Sequence, residues 1–365
     1  MRRGSIFVIL FIVGAAIVIG ASQFLRSQPP TEFTVAVDPL AVPWVENAVA
    51  GLNATSPVVN GTQRIQFKVT PVDDLNVWQG QANWSSQNHP IAWIPASSLS
   101  LTYAKDNGVP VISVTNSLAR TPLVWGGYVS RVDVLTKGGT TPLDWPAVQA
   151  AAAKESWSII GGQKDWQFIK LGFGQPGRKI GGLTALFTGA AARAQNEGLT
   201  AGSVGSDVFR MWMLPVIKAV PNLSGDLVLA MASGPSTIEI GLFPEAQWLL
   251  NLTGLLKNEE IRLNYPAYQM ILDFPLARWD DNSTTTPEQR EAVGLLSSWL
   301  AAGAQQAKAP NYGLRPAATE PTDADKLFAA GVPYGIQLTP TFGQAVTPPS
   351  RSDTLGLIQW VSVNQ

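Results

Sequence analysis

Short β-branched and apolar runs alternate along this 365-residue chain with stretches of helical pattern, and that alternation constrains the fold more than any other feature. Phe33 to Val37 (FTVAV) reads as a buried strand, followed by a loop from Asp38 to Pro43 and an amphipathic helix through WVENAVAGLNA. IQFKVTPV (Ile65 to Val72), IAWIP (Ile91 to Pro95) and VPVISV (Val109 to Val114) read as further strands, and ASSLSLTYAKDNG between the last two as a helix closed by Asn107-Gly108. Strands that alternate with helices predict mostly parallel, doubly wound sheets covered on both faces. The fold class expected is α/β.

A second α/β unit starts near residue 125. TPLVWGGYV (Thr121 to Val129) is its first strand, LDWPAVQAAAAKE a Pro-started helix, and TIEIGLF (Thr237 to Phe243) a buried strand that carries Glu239. Between them a Gly-rich loop runs directly into a small-residue helix from about Gly182 to Gln195. Free N–H groups and the positive dipole end make such a junction suited to an anion or polar ligand, although tight turning and close helix packing explain the glycines equally well. YQMILDFPLARW (Tyr268 to Trp279) is extended, TPEQREAVGLLSSWLAAGAQQ is a capped helix from near Thr286, and a turn-rich tail follows from Pro316.

The N-terminus bears on location. Arg2 and Arg3 precede an apolar run from Ile6 to Ala21 that ends at Arg26. About 20 such residues match a bilayer core of roughly 30 Å, and the arginines stay on the cytoplasmic side. Residues 5–25 are therefore expected to be a transmembrane anchor, or else a signal segment cleaved near Gly20-Ala21, and either way the remainder is exported. Residues 26–32, with Pro29-Pro30, form a short linker.

Composition excludes several chemistries. The chain has no cysteine and one histidine, His89, so disulfides, thiolate nucleophiles and zinc clusters are ruled out and no cofactor is expected. Lys and Arg number 25 against 26 Asp and Glu, which gives no electrostatic footprint for nucleic acid. The acidic pairs Asp73-Asp74, Glu259-Glu260 and Asp280-Asp281 are adjacent in sequence, so their side chains diverge, and they read as turn and cap residues. A binding protein is expected rather than an enzyme.

Taken in order, WIPASS (Trp93 to Ser98), SLARTPLVWG (Ser117 to Gly126), LGFGQPGRKIGGLTAL (Leu171 to Leu186), STIEIGLF, LNYPAYQMILDFPLARW, the TPEQR helix and NYGLRP (Asn311 to Pro316) carry a resemblance. The chain resembles the bacterial extracellular solute-binding proteins of the type II, molybdate- and sulfate-binding-like group, and more closely the anchored domain that often precedes a von Willebrand factor A domain. The resemblance covers about Phe33 to Pro316. It implies a two-lobed periplasmic-binding-protein-like fold in which the chain crosses between lobes twice. Lobe 1 would comprise 33–120 and 275–365, lobe 2 would comprise 125–268, and hinge strands would lie near 120–126 and 268–279. The ligand, an oxyanion among the candidates, would sit in the cleft, with a membrane transporter or partner protein outside. No D-x-S-x-S pattern is present, so no adhesion-type metal site is expected.

The cleft candidates follow. Ser97 and Ser98 open a helix after a strand, as a cap or as ligand contacts. Arg120 and Thr121 lie on the outgoing crossover, where Arg120 faces either an anion or a carboxylate. Arg178, Gly181 and Gly182 belong to the Gly-rich loop and helix start. Glu239, within an apolar strand, requires a partner or a place at the cleft. Where oxyanion-binding members of the group carry Ser or Thr, this sequence has Ile180-Gly181-Gly182, which weakens the oxyanion assignment. A ligand-free scaffold that binds another protein, and a sugar-binding protein whose tryptophans stack on its ligand, remain open.

Overall fold

Strand patterns of the sequence reappear as two separate sheets in the computed structural model, which describes residue 13, residues 29–223 and residues 225–365. In chain order the strands are β1 (Thr31–Val37), β2 (Val58–Val59), β3 (Gln63–Pro71), β4 (Ala92–Ile94), β5 (Val111–Thr115), β6 (Ala119–Tyr128), β7 (Leu171–Gly172), β8 (Ile240–Pro244), β9 (Ile261–Asn264), β10 (Tyr268–Gln269), β11 (Ile271–Leu272), β12 (Leu276–Trp279), β13 (Arg315–Pro316) and β14 (Gln344–Ala345).

The first sheet has the order β2-β3-β1-β4-β12-β5. β1 lies parallel between β3 and β4, and its Val35, Ala36 and Val37 are buried on both faces, as a central parallel strand requires. The chain returns to this sheet as β12, antiparallel between β4 and β5.

The second sheet is built around β6. Its first half is flanked by β11 and β13, its second half by β8 and β9, and all four neighbours run antiparallel to it. Only the β7–β8 pair is parallel. The expectation of mostly parallel sheets is thus corrected in both halves: in the first, β2–β3, β4–β12 and β12–β5 pair antiparallel, and in the second, β6 enters against the direction of every strand beside it. Gly126 and Gly127 permit this crowding: a Cβ at Gly126 would lie 2.4 Å from Leu263 Cδ2 and 2.7 Å from the Trp248 ring.

One apolar cluster runs through both sheets and includes Trp44, Trp78, Trp93, Trp125 and Trp145, each at most 1% exposed. A second cluster covers the outer face of the second sheet. It joins Val124, Trp248 and Leu263 to Phe328 and Ile336 of the tail. Apolar side chains from about residues 328–336, in the stretch grouped by sequence with the first half, thus pack in the core of the second sheet. The helix Pro287–Ala301 forms as read, with Thr286 and Gln289 in a reciprocal capping box. The apolar run WSII forms a 3-10 turn, Trp157–Ile160. The expected anchor, 5–25, falls outside the described residues apart from Val13; among the described residues no helix is long and apolar enough to cross a membrane.

Candidate functional site

The two sheets meet at a groove where β1 and β4 end and the crossovers β6 and β11 pair through Thr121↔Leu272 and Pro122↔Ile271. On the first-sheet side, the loop after β1 carries Asp38, the short helix Asp74–Trp78 follows β3, and the helix Ser98–Asp106 follows β4. On the second-sheet side, the helix Ile180–Ala194 starts beside Pro244 at the end of β8, where a Cβ on Gly181 would lie 3.3 Å from the proline ring. Lys179, just ahead of that helix, reaches Asp73 across the groove at 2.7 Å. Gln79 Nε2 donates to the Gly177 carbonyl at 3.4 Å, a second bond between the two sides.

A helix start leaves amides without partners, and here two carboxylates supply them. The Ala96 N–H donates to Asp74 Oδ1 and Oδ2 at 3.1 and 3.0 Å, and the Ser100 hydroxyl donates to Asp74 Oδ2 at 2.6 Å. The Ser98 N–H donates to Asp273 Oδ1 at 2.7 Å. The position an oxyanion takes at a helix N-terminus is thus held by acidic side chains of the chain itself. Burial pushes Asp273 above the usual carboxylate range against the pull of the Ser98 amide. Burial raises Asp74 well above that range too, with the nearby Asp38 charge adding to it. Asp38, 7% exposed, is pushed up to about 7, mainly by burial and further by Asp73, with the Leu40 amide and Lys179 opposing. The Asp38 and Asp74 carboxyls lie near one another, and two neighbouring buried carboxylates disfavour joint ionisation.

Beside this acidic floor lies a cavity of about 560 Å³. Its walls are the first turns of the helix Ser98–Asp106, residues 269–271 of the returning chain, and residues 342–349 of the tail. Ser97, Ser98, Thr102, Gln269 and Thr347 supply polar groups, and Leu99, Tyr103, Met270, Ile271 and Phe342 supply apolar surface. No Asp, Glu, Lys or Arg lines it. Among the described residues, no group of three or more His, Cys, Asp or Glu side chains is placed to hold a metal ion.

The sequence candidates divide. Ser97 is buried and caps its own helix, accepting from the Leu99 N–H at 3.3 Å, while Ser98 is exposed at the cavity rim. Thr121 is buried between the sheets and its hydroxyl accepts from the Ala246 N–H at 3.0 Å. Gly181 and Gly182 open the opposite helix, but a Cβ on Gly182 would lie 1.7 Å from the Gly174 carbonyl oxygen, so close packing explains that glycine. Arg178 is exposed beside Lys179. Arg120 turns to the tail, pairing with Glu320 at 3.0 Å and donating to the Pro316 and Thr319 carbonyls. Glu239 lies just before β8, at the end away from the groove, about 16 Å from Pro244 at strand rise. It accepts from the Trp157 indole at 2.7 Å and pairs with Lys170 at 3.3 Å and Arg131 at 3.5 Å. Burial still pushes its carboxyl upward. Of the two outcomes open to it, Glu239 thus has the partner.

Three features escaped the sequence reading. Asp73-Asp74 looked like turn residues because adjacency hides which neighbour each will meet. Asp273 sits in an apolar run with no capping signature of its own. The tail segment 342–349 has turn composition, and only the fold shows that β14 pairs with β10 and brings it to the cavity.

No protein-family model matches the sequence, and no curated protein matches it. Solved structures do match the fold. An ABC substrate-binding protein from Listeria monocytogenes in complex with cycloalternan aligns at TM-score 0.57 and 13% identity over 92% of this chain and 95% of that one. The fold is that of the substrate-binding proteins. A ferric binding protein from Campylobacter jejuni aligns at TM-score 0.57 and 10% identity over 91% and 98%. A cyclic alpha-maltosyl-1,6-maltose binding protein from Arthrobacter globiformis aligns at 0.53 and 13% over 92% and 95%.

Proposed function

We propose that this chain is an extracytoplasmic solute-binding protein that holds a small, uncharged, hydroxyl-bearing ligand in the cavity beside the interlobe groove, and that it works by binding rather than by catalysis. The observation that carries this reading is a cavity of about 560 Å³ with hydroxyl and amide groups on apolar walls and no charged lining residue. Its size falls within the range of small-ligand sites. The solved structures of like fold bound to sugars support the ligand class. Residues 33–120, 275–314 and the end of the tail form one lobe in this reading, 125–268 with 315–338 the other. Residues 5–25 would anchor it to the membrane, and a membrane transporter would receive the ligand.

The oxyanion assignment has less behind it, since Asp74 and Asp273 already take the amides at this helix start. The ligand-free scaffold reading is favoured by one observation: the protein's own groups bridge the groove, through Lys179–Asp73 and Gln79–Gly177.

The test is thermal unfolding of the full chain in detergent with maltose, sulfate, molybdate or ferric citrate, because a ligand bound to the folded state raises apparent stability. Maltose at 100 times its Kd stabilises by about 2.7 kcal/mol on this account. Thr102→Trp, which fills the cavity from an exposed helix position, abolishes the shift. A shift that survives Thr102→Trp places the ligand elsewhere.

A further inference from the structure

We infer that residues 343–364 form a latch that holds the two sides of the groove together, stays with the first-sheet side, and parts from the second-sheet side when the groove opens; this rests on the binding reading of the cavity beside it. The segment is tied at three places. At the hinge, the Gln344 N–H donates to the Ala267 carbonyl at 2.7 Å and the Val346 N–H to the Gln269 carbonyl at 3.0 Å. On the first-sheet side, Arg351 donates twice to the Trp78 carbonyl, at 3.0 and 2.7 Å, and once to Asn107 Oδ1 at 2.7 Å. There too the Tyr103 hydroxyl donates to the Pro349 carbonyl at 2.6 Å and lies 2.8 Å from Thr354 Oγ1. On the second-sheet side, Thr347 exchanges bonds of 3.0 and 2.8 Å with Leu199 and Glu197, and the helix Arg351–Asn364 packs on the helices Ala201–Gly205 and Asp207–Lys218. A separation of the two sides must break one of these sets.

The packing indicates which set breaks. Between the latch helix and the second-sheet helices lies a gap of about 450 Å³, bordered by Gly202, Gly205 and Gly356. Arg210 also borders it, and among the described residues its buried Nε has no hydrogen-bond partner. An interface with missing contacts separates more readily than one closed by side-chain bonds to backbone carbonyls.

The absence of cysteine allows a direct test. A Cβ on Gly177 would lie 3.2 Å from Ile358 Cγ2, within disulfide reach, so Gly177→Cys with Ile358→Cys ties the latch to the second-sheet side. Amide hydrogen exchange of 95–101 and 174–182 is measured on the full chain in detergent, oxidised and reduced. Oxidation is expected to slow exchange in both segments about tenfold and thiol reductant to restore it. Arg351→Ala, which frees the other side of the latch, is expected to speed it. Equal exchange in the oxidised and reduced forms, with the disulfide confirmed by mass, overturns the latch. Maltose failing to stabilise the reduced protein while the exchange difference persists overturns the binding reading and supports the latch.

Discussion

Two clusters of buried acids, one on each side of the molecule, are held in opposite ways. On the first-sheet side Asp74 and Asp273 take backbone amides, and Asp38 takes Asp74 and the Leu40 amide. On the second-sheet side Glu245 takes both ends of the Arg315 fork, at 2.6 and 2.8 Å, plus the Tyr265 hydroxyl, and Arg315 and Glu245 are fully buried. Arg315 also donates to the Gln337 and Leu338 carbonyls and to Glu320. The difference separates two uses of a carboxylate. Amide-held acids finish a helix start at the groove; the arginine-held acid fastens the tail to the second sheet.

The largest expected effect breaks the fastening. Arg315→Met leaves Glu245 buried and uncompensated and costs about 3–5 kcal/mol in urea unfolding, with hydrogen exchange rising first in 315–338. A loss below 1 kcal/mol would mean that the pair is dispensable. On the other side, Asp74→Ala strands the Ala96 amide and the Ser100 hydroxyl at about 1–3 kcal/mol, and Asp74→Asn loses less because it still accepts.

The pH response sharpens the contrast. Asp38 and Asp74 have folded values above their unfolded ones, so the folded state holds more protons, and their contribution is fully present below the unfolded carboxylate range. It is lost as pH rises through about 7 for Asp38. Unfolding midpoints between pH 4 and pH 8 should therefore decline across that window. Asp38→Asn should flatten the decline, and an unchanged slope would remove Asp38 from the account. The smallest effects separate two neighbouring serines. Ser97→Ala removes a helix cap and costs about 1 kcal/mol, whereas Ser98→Ala, whose exposed side chain bonds nothing in its own cap, changes stability by less than about 0.5 kcal/mol.

Much of the fold was legible because alternation reports burial directly. FTVAV, IAWIP and the crossovers LARTPLVWG and YQMILDFPLARW occupy strands that pair as neighbours. Strand direction in the second sheet was not legible, since β6 and β8 have the same apolar look whether they run parallel or antiparallel. The candidate site was legible in part. Helix starts at Ser97 and Gly181 face one groove because both follow strand ends. Arg120 and Glu239 stayed open between a partner and the cleft, because a charge in an apolar context signals only that a partner exists. Their partners, Glu320 and the Lys170–Arg131 pair, lie 200 and 69–108 residues away in sequence, beyond the reach of local pattern.

The central claim is that the cavity between the helix at Ser98 and the tail at 342–349 takes an uncharged ligand. Titration calorimetry of the full chain with maltose and, separately, with molybdate tests it most directly. Saturable heat with maltose, lost in Thr102→Trp, and none with molybdate is the result this account predicts; saturable heat with molybdate in the unmodified protein would contradict it.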